Sequence, residues 1–230
     1  MPADTRPFCV IPARGGSKRF PRKNVALFGG ETLVGLTVRT ARDAGVFARI
    51  VVSTDDEEIA AIAADHGAEV RFRDAALSGD FVTLEPVLLD AADWLAREGG
   101  EFESGSIMLP TSPLRRTADV VAAYQRFVES GADYVMTVSR YMKSPFLALG
   151  EQDGYAHLLF PELARRQPTP PVWVDTGMCY FARLEALRRE KTLYGKRLVM
   201  HEVPVERALD VDEPYHLRLA ALVAASQRDA

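Results

Sequence analysis

Residues 8–24 read FCVIPARGGSKRFPRKN, and this stretch indicates the class of fold. Its first four residues are consecutively apolar, as in a strand that is buried on both faces of a parallel sheet. The loop that follows contains two adjacent glycines and five basic residues, Arg14, Lys18, Arg19, Arg22 and Lys23. Ligands of open α/β sheets bind beyond the carboxyl ends of the strands, so this loop lies where a ligand is expected.

Beyond this loop, apolar residues recur with helical and strand periods in alternation. The pattern predicts helices over 32–44, 56–66, 84–98 and 117–130, and strands over 49–53, 69–72, 106–109 and 133–138. Thr54 or Asp55 is predicted to cap the second helix. Because the strands lack polar alternation, the pattern favours an α/β fold with a doubly wound, mainly parallel sheet and helices on both faces.

The order of elements changes after Arg140. Short segments with five prolines between 145 and 171 predict strands and an extended arm. Together they are predicted to form a small extended lobe at about 140–175, which serves dimerisation or substrate binding. A strand over 174–183, a helix over 184–190, a strand over 199–203 and a helix over 214–226 then return the chain to the core. Since no long linker divides the chain, residues 1–230 are predicted to form a single domain.

Composition limits the partners of the protein. The 230 residues include 28 Lys and Arg and 32 Asp and Glu, so the net charge of −4 provides no general attraction to nucleic acid or to an anionic membrane. The apolar stretches are shorter than the roughly 20 residues of a membrane span, and the first residues lack a basic segment followed by an apolar one. We therefore expect a cytoplasmic protein whose two cysteines, Cys9 and Cys179, are small core residues.

The basic loop at 11–24 has the composition of a phosphate-binding loop. Gly15 and Gly16 allow the backbone to approach a ligand closely, and backbone N–H groups together with the five cations form a cradle for phosphate. The alternative is a solvated basic loop. Neither GxxxxGK[ST] nor GxGxxG occurs, which argues against a P-loop NTPase and against a dinucleotide-dependent dehydrogenase.

The same loop, IPARGGSKRFPRKN, resembles the signature of the N-acylneuraminate cytidylyltransferases (CMP-sialic acid synthetases), including the branches that act on pseudaminic and legionaminic acids. Further stretches similar to this family follow in order: VVSTDDEEIA at 51–60, RDAALSGD at 73–80, LPTSPLR at 109–115, ADYVMTV at 132–138 and ALDVDEPY at 208–215. The resemblance implies a nucleotide-diphospho-sugar transferase-like fold, a homodimer and a CTP-dependent nucleotidyltransferase.

The resemblance also implies a reaction. The anomeric hydroxyl of a nonulosonic acid, a sialic-acid-like sugar, attacks the α-phosphorus of CTP, which releases pyrophosphate and gives a CMP-sugar. Carried over to this sequence, the resemblance implies that the triphosphate is held by Arg14, Ser17 and Lys23. Arg14 and Lys23 are also predicted to be catalytic. Asn24 contacts the cytidine. The complete set of predicted nucleotide-binding residues is Arg14, Gly15, Ser17, Lys18, Lys23, Asn24, Arg73 and Thr83.

Asp210 and Asp212 flank Val211 near the end of the chain. On an extended segment, residues at i and i+2 point to the same face, so both carboxylates share one side. Two carboxylates suit Mg²⁺, which takes one or two protein oxygens and leaves its other positions to water and phosphate. We therefore predict a Mg²⁺ site in which both aspartates are catalytic. The alternative is that Asp212 caps the last helix.

The acceptor side of the site is predicted from side chains that are able to bind the sugar. Four polar residues are predicted to bind the carboxylate of the sugar: Lys143, Arg165, Arg166 and Gln167. The alternative is that they are ordinary charged or polar residues of the surface. Leu109 stands where sialic-acid enzymes of the family commonly place Gln. Because leucine offers only apolar contact, it predicts a more deoxygenated, methyl-ended acceptor of the pseudaminic or legionaminic kind. The alternative is that Leu109 ends a buried strand with its side chain turned away from the pocket.

Two other functions stay open on the sequence alone. One is a different sugar nucleotidyltransferase, such as 3-deoxy-manno-octulosonate cytidylyltransferase, whose signature loop begins differently. The other is a non-catalytic nucleotide-binding protein on the same fold. The pair Asp210 and Asp212 argues against the second, because a binding protein does not need both carboxylates.

Overall fold

The structure, a computed structural model, describes residues 5–79, 81–164 and 170–227. Its helices are α1 Leu33–Ala44, α2 Glu57–Asp65, α3 Leu84–Arg97, α4 Thr117–Ser130, α5 Pro161–Ala164, α6 Leu184–Glu190 and α7 Pro214–Ser226. Its strands are β1 Phe8–Pro12, β2 Leu27–Phe28, β3 Glu31–Thr32, β4 Arg49–Thr54, β5 Glu69–Phe72, β6 Ser104–Ile107, β7 Tyr134–Arg140, β8 Leu149–Gln152, β9 Tyr155–Leu158, β10 Trp173–Arg183 and β11 Leu198–Glu202.

Seven of these strands form the central sheet, in the order β11-β7-β10-β6-β1-β4-β5. Neighbouring strands run parallel except for β10, which is antiparallel to both β6 and β7. The chain leaves β1 for β4 on one side and later returns to β6 on the other, so the strand order reverses beside β1. Such a switch point opens a crevice at the carboxyl ends of the strands. The predicted doubly wound, mainly parallel α/β sheet is confirmed.

Helices cover both faces of the sheet and bury a hydrophobic core on each. Cys9 and Ile11 of β1 belong to the core beneath α1, α2 and α4, whereas Phe8 and Val10 belong to the core beneath α3 and α6. All four side chains are fully buried, which explains why the run FCVI has no polar alternation. Cys9 and Cys179 are free and buried, as expected of core residues, and burial raises the pKa of both thiols.

The start of α2 differs from the prediction that Thr54 or Asp55 caps it. Asp56 is the cap, and its Oδ1 accepts the backbone N–H of Ile59 at 3.0 Å. The Thr54 hydroxyl instead accepts the Asp56 N–H at 3.1 Å, and Asp55 Oδ1 accepts the N–H of Gly15 at 2.8 Å. All three residue types are good caps, so local preference alone does not say which of them begins the helix.

Most other elements lie within two residues of their predicted positions, and α4, α6 and α7 have the predicted bounds. Thr32 caps α1, and Gly45 ends it with a φ of 66°, a conformation that favours glycine. The short hairpin of β2 and β3 was not predicted, because two-residue strands have no measurable period. In the three described ranges, no helix has the length and apolar character needed to cross a membrane.

The segment predicted as a lobe at about 140–175 contains the hairpin of β8 and β9 and the helix α5. The helix differs from the strands and extended arm predicted for this segment. Proline is tolerated at its first position, because the N–H that Pro161 lacks would have no partner there. Residues 165–169 lie outside the described part of the chain. Several large apolar side chains of the lobe are more than half exposed, namely Met142, Leu147, Leu149 and Tyr155.

Candidate active site

A cleft of about 270 Å³ opens beside β1, at the switch point of the sheet. Residues that follow β1 and β6 meet there with the loop after β5, the start of α3 and the segment before α7. The cleft is lined by Pro12, Arg14, Lys23, Asn24, Arg73, Leu77, Gly79, Val82, Thr83, Leu84, Val87, Leu109, Pro110, Thr111, Asp210 and Asp212.

Many of the predicted site residues meet in this cleft although they are far apart in the sequence: Arg14, Lys23, Asn24, Arg73, Thr83, Leu109, Asp210 and Asp212. Three of the predicted site residues in the basic loop are not among those that line it: Gly15, Ser17 and Lys18. On the lobe, Lys143 is exposed and does not line the cleft either. Outside the described residues lie Arg165, Arg166 and Gln167.

The two aspartates of the predicted metal site face the cleft together. Val211 between them is fully buried, and its N–H donates to the carbonyl of Thr111 at 2.8 Å. The predicted alternation on an extended segment is therefore present, with the valine directed into the protein and both carboxylates directed into the cleft.

The alternative role for Asp212, as the cap of the last helix, is wrong. Glu213 occupies the N-cap position of α7. The Nδ1 atom of His216 accepts the backbone N–H groups of Asp212 and Glu213 at 3.1 and 3.2 Å. The carboxylate of Asp212 is therefore not used by the helix and is available to the cleft.

Two cations form direct ion pairs with one of the two carboxylates. Lys23 Nζ lies 3.0 Å from Asp212 Oδ1, and Arg19 Nη2 lies 2.8 Å from Asp212 Oδ2. Burial acts to raise the pKa of Asp212, but these two cations stabilise its charge and hold the pKa below its ordinary value. Asp210 is exposed at the cleft, although protein atoms around it exclude part of the water. Burial, together with the charge of Asp212, raises its pKa, against a hydrogen bond from the Thr111 side chain.

Two carboxylates side by side, one of them poorly compensated, form a donor set that suits a divalent cation. In residues 5–79, 81–164 and 170–227, no group of three or more His, Cys, Asp or Glu side chains lies close enough to hold a metal. Mg²⁺ does not need such a cage, since it is usually bound through one or two carboxylates together with substrate phosphates and water. Asp210 and Asp212 therefore fit Mg²⁺ better than a metal that requires four protein ligands.

The base of the signature loop is anchored to the start of α2. The N–H of Gly15 donates to Asp55 Oδ1 at 2.8 Å and so attaches the loop to the start of this helix. A Cβ atom on this glycine would lie 2.5 Å from Asp56 Oδ2, so no larger residue fits there without displacing that carboxylate. Arg22 pairs with Asp56 and Glu58. The stretch VVSTDDEEIA thus supplies the carboxylates that hold the loop.

Arg14 and Arg73 hold the wall formed by residues 77–79. Arg14 Nη1 donates to the carbonyl of Ser78 at 3.3 Å, and Arg73 Nη1 donates to the carbonyl of Leu77 at 3.2 Å. Burial lowers the pKa of Arg73. Asn24 is buried, and its side-chain amide donates to the backbone carbonyl of Arg14 at 2.9 Å. One of its amide hydrogens therefore stabilises the loop rather than a ligand.

Leu109 is among the residues that line the cleft, and it also packs against the hydrophobic core beneath α3 and α6. A Cβ atom on Gly177 would lie 2.9 Å from Leu109 Cδ1, so the absence of a side chain at this glycine leaves room for the leucine.

Arg115 is a buried residue next to Leu109 that the sequence analysis does not predict to belong to the site. Its Nη1 donates to the carbonyls of Leu109 and Met178 at 3.0 and 2.7 Å, and its Nη2 donates to Thr37 Oγ1 at 2.9 Å. Arg115 is the last residue of the stretch LPTSPLR, and the resemblance of this stretch to the family was the sequence feature that could have pointed to it.

The sequence is similar to those of known cytidylyltransferases. A family model described as Cytidylyltransferase matches residues 8–92, the part of the chain that contains the signature loop. The pseudaminic acid cytidylyltransferase of Campylobacter jejuni is 28% identical over 219 residues, which cover 94% of each chain. The post-translational flagellin modification protein B of Campylobacter coli is 30% identical over 218 residues, which cover 92% of each.

Among solved structures, a CMP:2-keto-3-deoxy-manno-octonic acid synthetase complexed with CTP superposes with a TM-score of 0.70. The match covers 96% of this chain and 99% of that one, at 15% sequence identity, and it shows the shared fold. The fold, the cleft at its switch point and the matched sequences agree: the chain belongs to the cytidylyltransferase family whose members include the N-acylneuraminate, pseudaminic acid and legionaminic acid enzymes.

Proposed function

We propose that the protein transfers CMP from CTP to the anomeric hydroxyl of a nonulosonic acid, with Mg²⁺ held by Asp210 and Asp212. The observation that carries this proposal is the convergence of Arg14 and Lys23 from the signature loop with the two aspartates on one cleft. In the transfer, the acceptor oxygen bonds to the α-phosphorus, the bond to pyrophosphate breaks, and the proton of the hydroxyl is released to the solvent. Charge that spreads over the phosphate oxygens requires fixed cations.

Five residues of the cleft are assigned parts in this reaction. Arg14 and Lys23 neutralise the triphosphate, and anchoring by the start of α2 limits the movement of their loop. Asp210 and Asp212 hold the metal ion, which when bound supplies further positive charge to the phosphates. Leu109, at the carboxyl end of β6, forms an apolar part of the acceptor side. Preorganisation of these charges, rather than covalent catalysis, supplies the rate enhancement.

A second acceptor class is 3-deoxy-manno-octulosonate, the kind of sugar acid for which the superposed synthetase is named. At 15% identity that likeness concerns the fold alone. The relatives at 28% and 30% identity span almost the whole chain, and the first of them is named for pseudaminic acid. The nonulosonic acceptor is therefore preferred.

The exposed apolar side chains of the lobe support the proposal that the protein is a homodimer. Met142 and Leu147, just before the hairpin, and Tyr155 within it are each more than half exposed. Apolar surface concentrated in this way is typical of an interface between proteins. The proposed reaction consumes CTP, so the proposed compartment is the cytoplasm.

Thermal unfolding with each of the four nucleoside triphosphates and Mg²⁺ tests the nucleotide assignment. At about 100 times its dissociation constant, CTP is expected to add about 2.7 kcal/mol to the free energy of unfolding. ATP, GTP and UTP at the same concentration are expected to stabilise the protein less. Equal stabilisation by ATP or GTP would contradict the assignment of CTP.

Leu109→Gln is expected to shift acceptor preference towards N-acetylneuraminate. Leucine offers no partner to a sugar hydroxyl or acyl group, so the parent enzyme is expected to prefer a deoxygenated, methyl-ended nonulosonate. The ratio of kcat/KM values for the two sugars is expected to change by roughly tenfold or more in the variant. Leu77→Gln is the matched control, because Leu77 is another leucine that lines the cleft and is not assigned to the acceptor. A parent that prefers N-acetylneuraminate, and a variant with an unchanged ratio, would contradict the role of Leu109.

A further inference from the structure

Arg207, just upstream in the chain of the two aspartates of the cleft, forms a buried ion pair. Arg207 precedes Asp210 by three residues, and its guanidinium binds the carboxylate of Asp119 through both terminal nitrogens. The Nη2 to Oδ1 distance is 2.8 Å, and each side chain is only 10% exposed. Neither residue lines the cleft. A two-contact pair of this kind has a defined geometry as well as a charge.

Asp119 is a fixed point in the fold. It lies in the first turn of α4, and its Oδ2 also accepts the backbone N–H of Arg116 at 2.9 Å. The next residue, Val120, is fully buried in the core beneath that helix. The guanidinium of Arg207 is therefore attached to a helix terminus that is itself held by the core.

The segment that carries the two aspartates, residues 208–213, contains neither helix nor strand. Several contacts hold it, and three of them do not involve its two carboxylates. Arg207 holds its upstream end, the N–H of Val211 donates to Thr111 in its middle, and His216 accepts two N–H groups at its downstream end. The upstream attachment is a buried ion pair, whereas the pairs of Asp212 with Lys23 and Arg19 are partly exposed. A buried charge that loses its partner is strongly unfavourable.

We propose that Asp119 and Arg207 are positioning residues for the metal site: their buried pair holds residues 208–213 so that both aspartates reach one divalent cation. This inference rests on the proposed function, which assigns the cation to Asp210 and Asp212. Mg²⁺ requires a nearly ideal octahedral geometry, so a displacement of either carboxylate weakens binding. Residues that orient metal ligands without touching the metal typically account for about 10- to 100-fold in affinity.

Asp119→Asn and Arg207→Lys test the proposal. The asparagine carbonyl still accepts the N–H of Arg116, but the amide places N–H groups against the guanidinium. The lysine keeps the positive charge and loses the second contact. Binding of Mn²⁺ in the presence of CTP, without acceptor, is measured from the paramagnetic resonance signal of free Mn²⁺. We expect the Mn²⁺ dissociation constant to rise about tenfold or more in Asp119→Asn and less in Arg207→Lys.

A matched control separates positioning from stability. Arg71 and Asp90 form a similar two-contact pair at 3.1 and 3.0 Å, and neither residue lines the cleft. Asp90→Asn is expected to lower the thermal midpoint while the Mn²⁺ dissociation constant stays at the parent value. Parent-like Mn²⁺ binding in both test variants, or equal weakening in Asp90→Asn, would overturn the proposal. If Asp119→Asn does not fold, Arg207→Lys carries the same comparison.

Asp212→Asn distinguishes this inference from the proposed function. Loss of Mn²⁺ affinity in Asp212→Asn together with parent-like affinity in the Asp119 and Arg207 variants refutes the positioning role alone. Unchanged affinity in both Asp212→Asn and Asp210→Asn refutes the metal site itself, and the inference with it. Weakening in all four variants, with the Asp90 control unchanged, supports both.

Discussion

Asp212→Asn is expected to lower kcat by roughly 100-fold or more while the protein remains folded. Removal of a charge that holds the metal costs several kcal/mol in the transition state, at about 1.4 kcal/mol for each factor of ten in rate. Asp210→Asn is expected to have a comparable or smaller effect. In Asp212→Asn, Lys23 and Arg19 also lose their charged partner, so the cations of the loop no longer converge on the metal side of the cleft.

Steady-state release of pyrophosphate at saturating Mg²⁺, together with thermal unfolding of the same samples, measures this effect. Glu213→Gln is the control, because Glu213 is the next carboxylate along the chain and does not line the cleft. Its rate is expected to stay near that of the parent. Early melting with retained specific activity in Asp212→Asn would show that the residue serves the fold and not the reaction.

Arg14→Ala and Lys23→Ala are each expected to weaken CTP binding and to lower kcat/KM for CTP by roughly 10- to 150-fold. This range corresponds to the loss of one charge-assisted contact to phosphate, worth about 1.5 to 3 kcal/mol. Lys23→Ala also leaves Asp212 with Arg19 as its partner among the cations of the described residues. The KM for the acceptor is expected to change much less, because neither contact is assigned to the sugar.

Calorimetric titration with CTP and Mg²⁺, without acceptor, separates binding from chemistry in these variants. Arg42→Ala provides the control, since Arg42 is an exposed cation in the last turn of α1 and does not line the cleft. Unchanged CTP affinity and kinetics in both loop variants would return the loop to the alternative of a solvated basic surface.

Elements with a strong local period could be predicted from the sequence. The helix α4 has the predicted bounds, and the fully apolar run FCVI is the buried strand β1. The predictions failed where several residues compete for one local role. Thr54, Asp55 and Asp56 are all suitable helix caps, and a contact with Gly15, distant in sequence, determines what Asp55 does. The absence of a measurable period hid the hairpin of β2 and β3.

By itself, the sequence determined the α/β class and the types of group that the cleft contains. Hydrophobic periodicity is a local property. The signature loop is one short stretch of sequence, and the aspartate pair is another. Only the tertiary structure decided which groups meet. Lys23 binds Asp212 across 189 residues, and Arg207 binds Asp119 across 88. Such contacts depend on strand order and on the exclusion of water around paired charges, and neither can be determined from a short stretch of sequence.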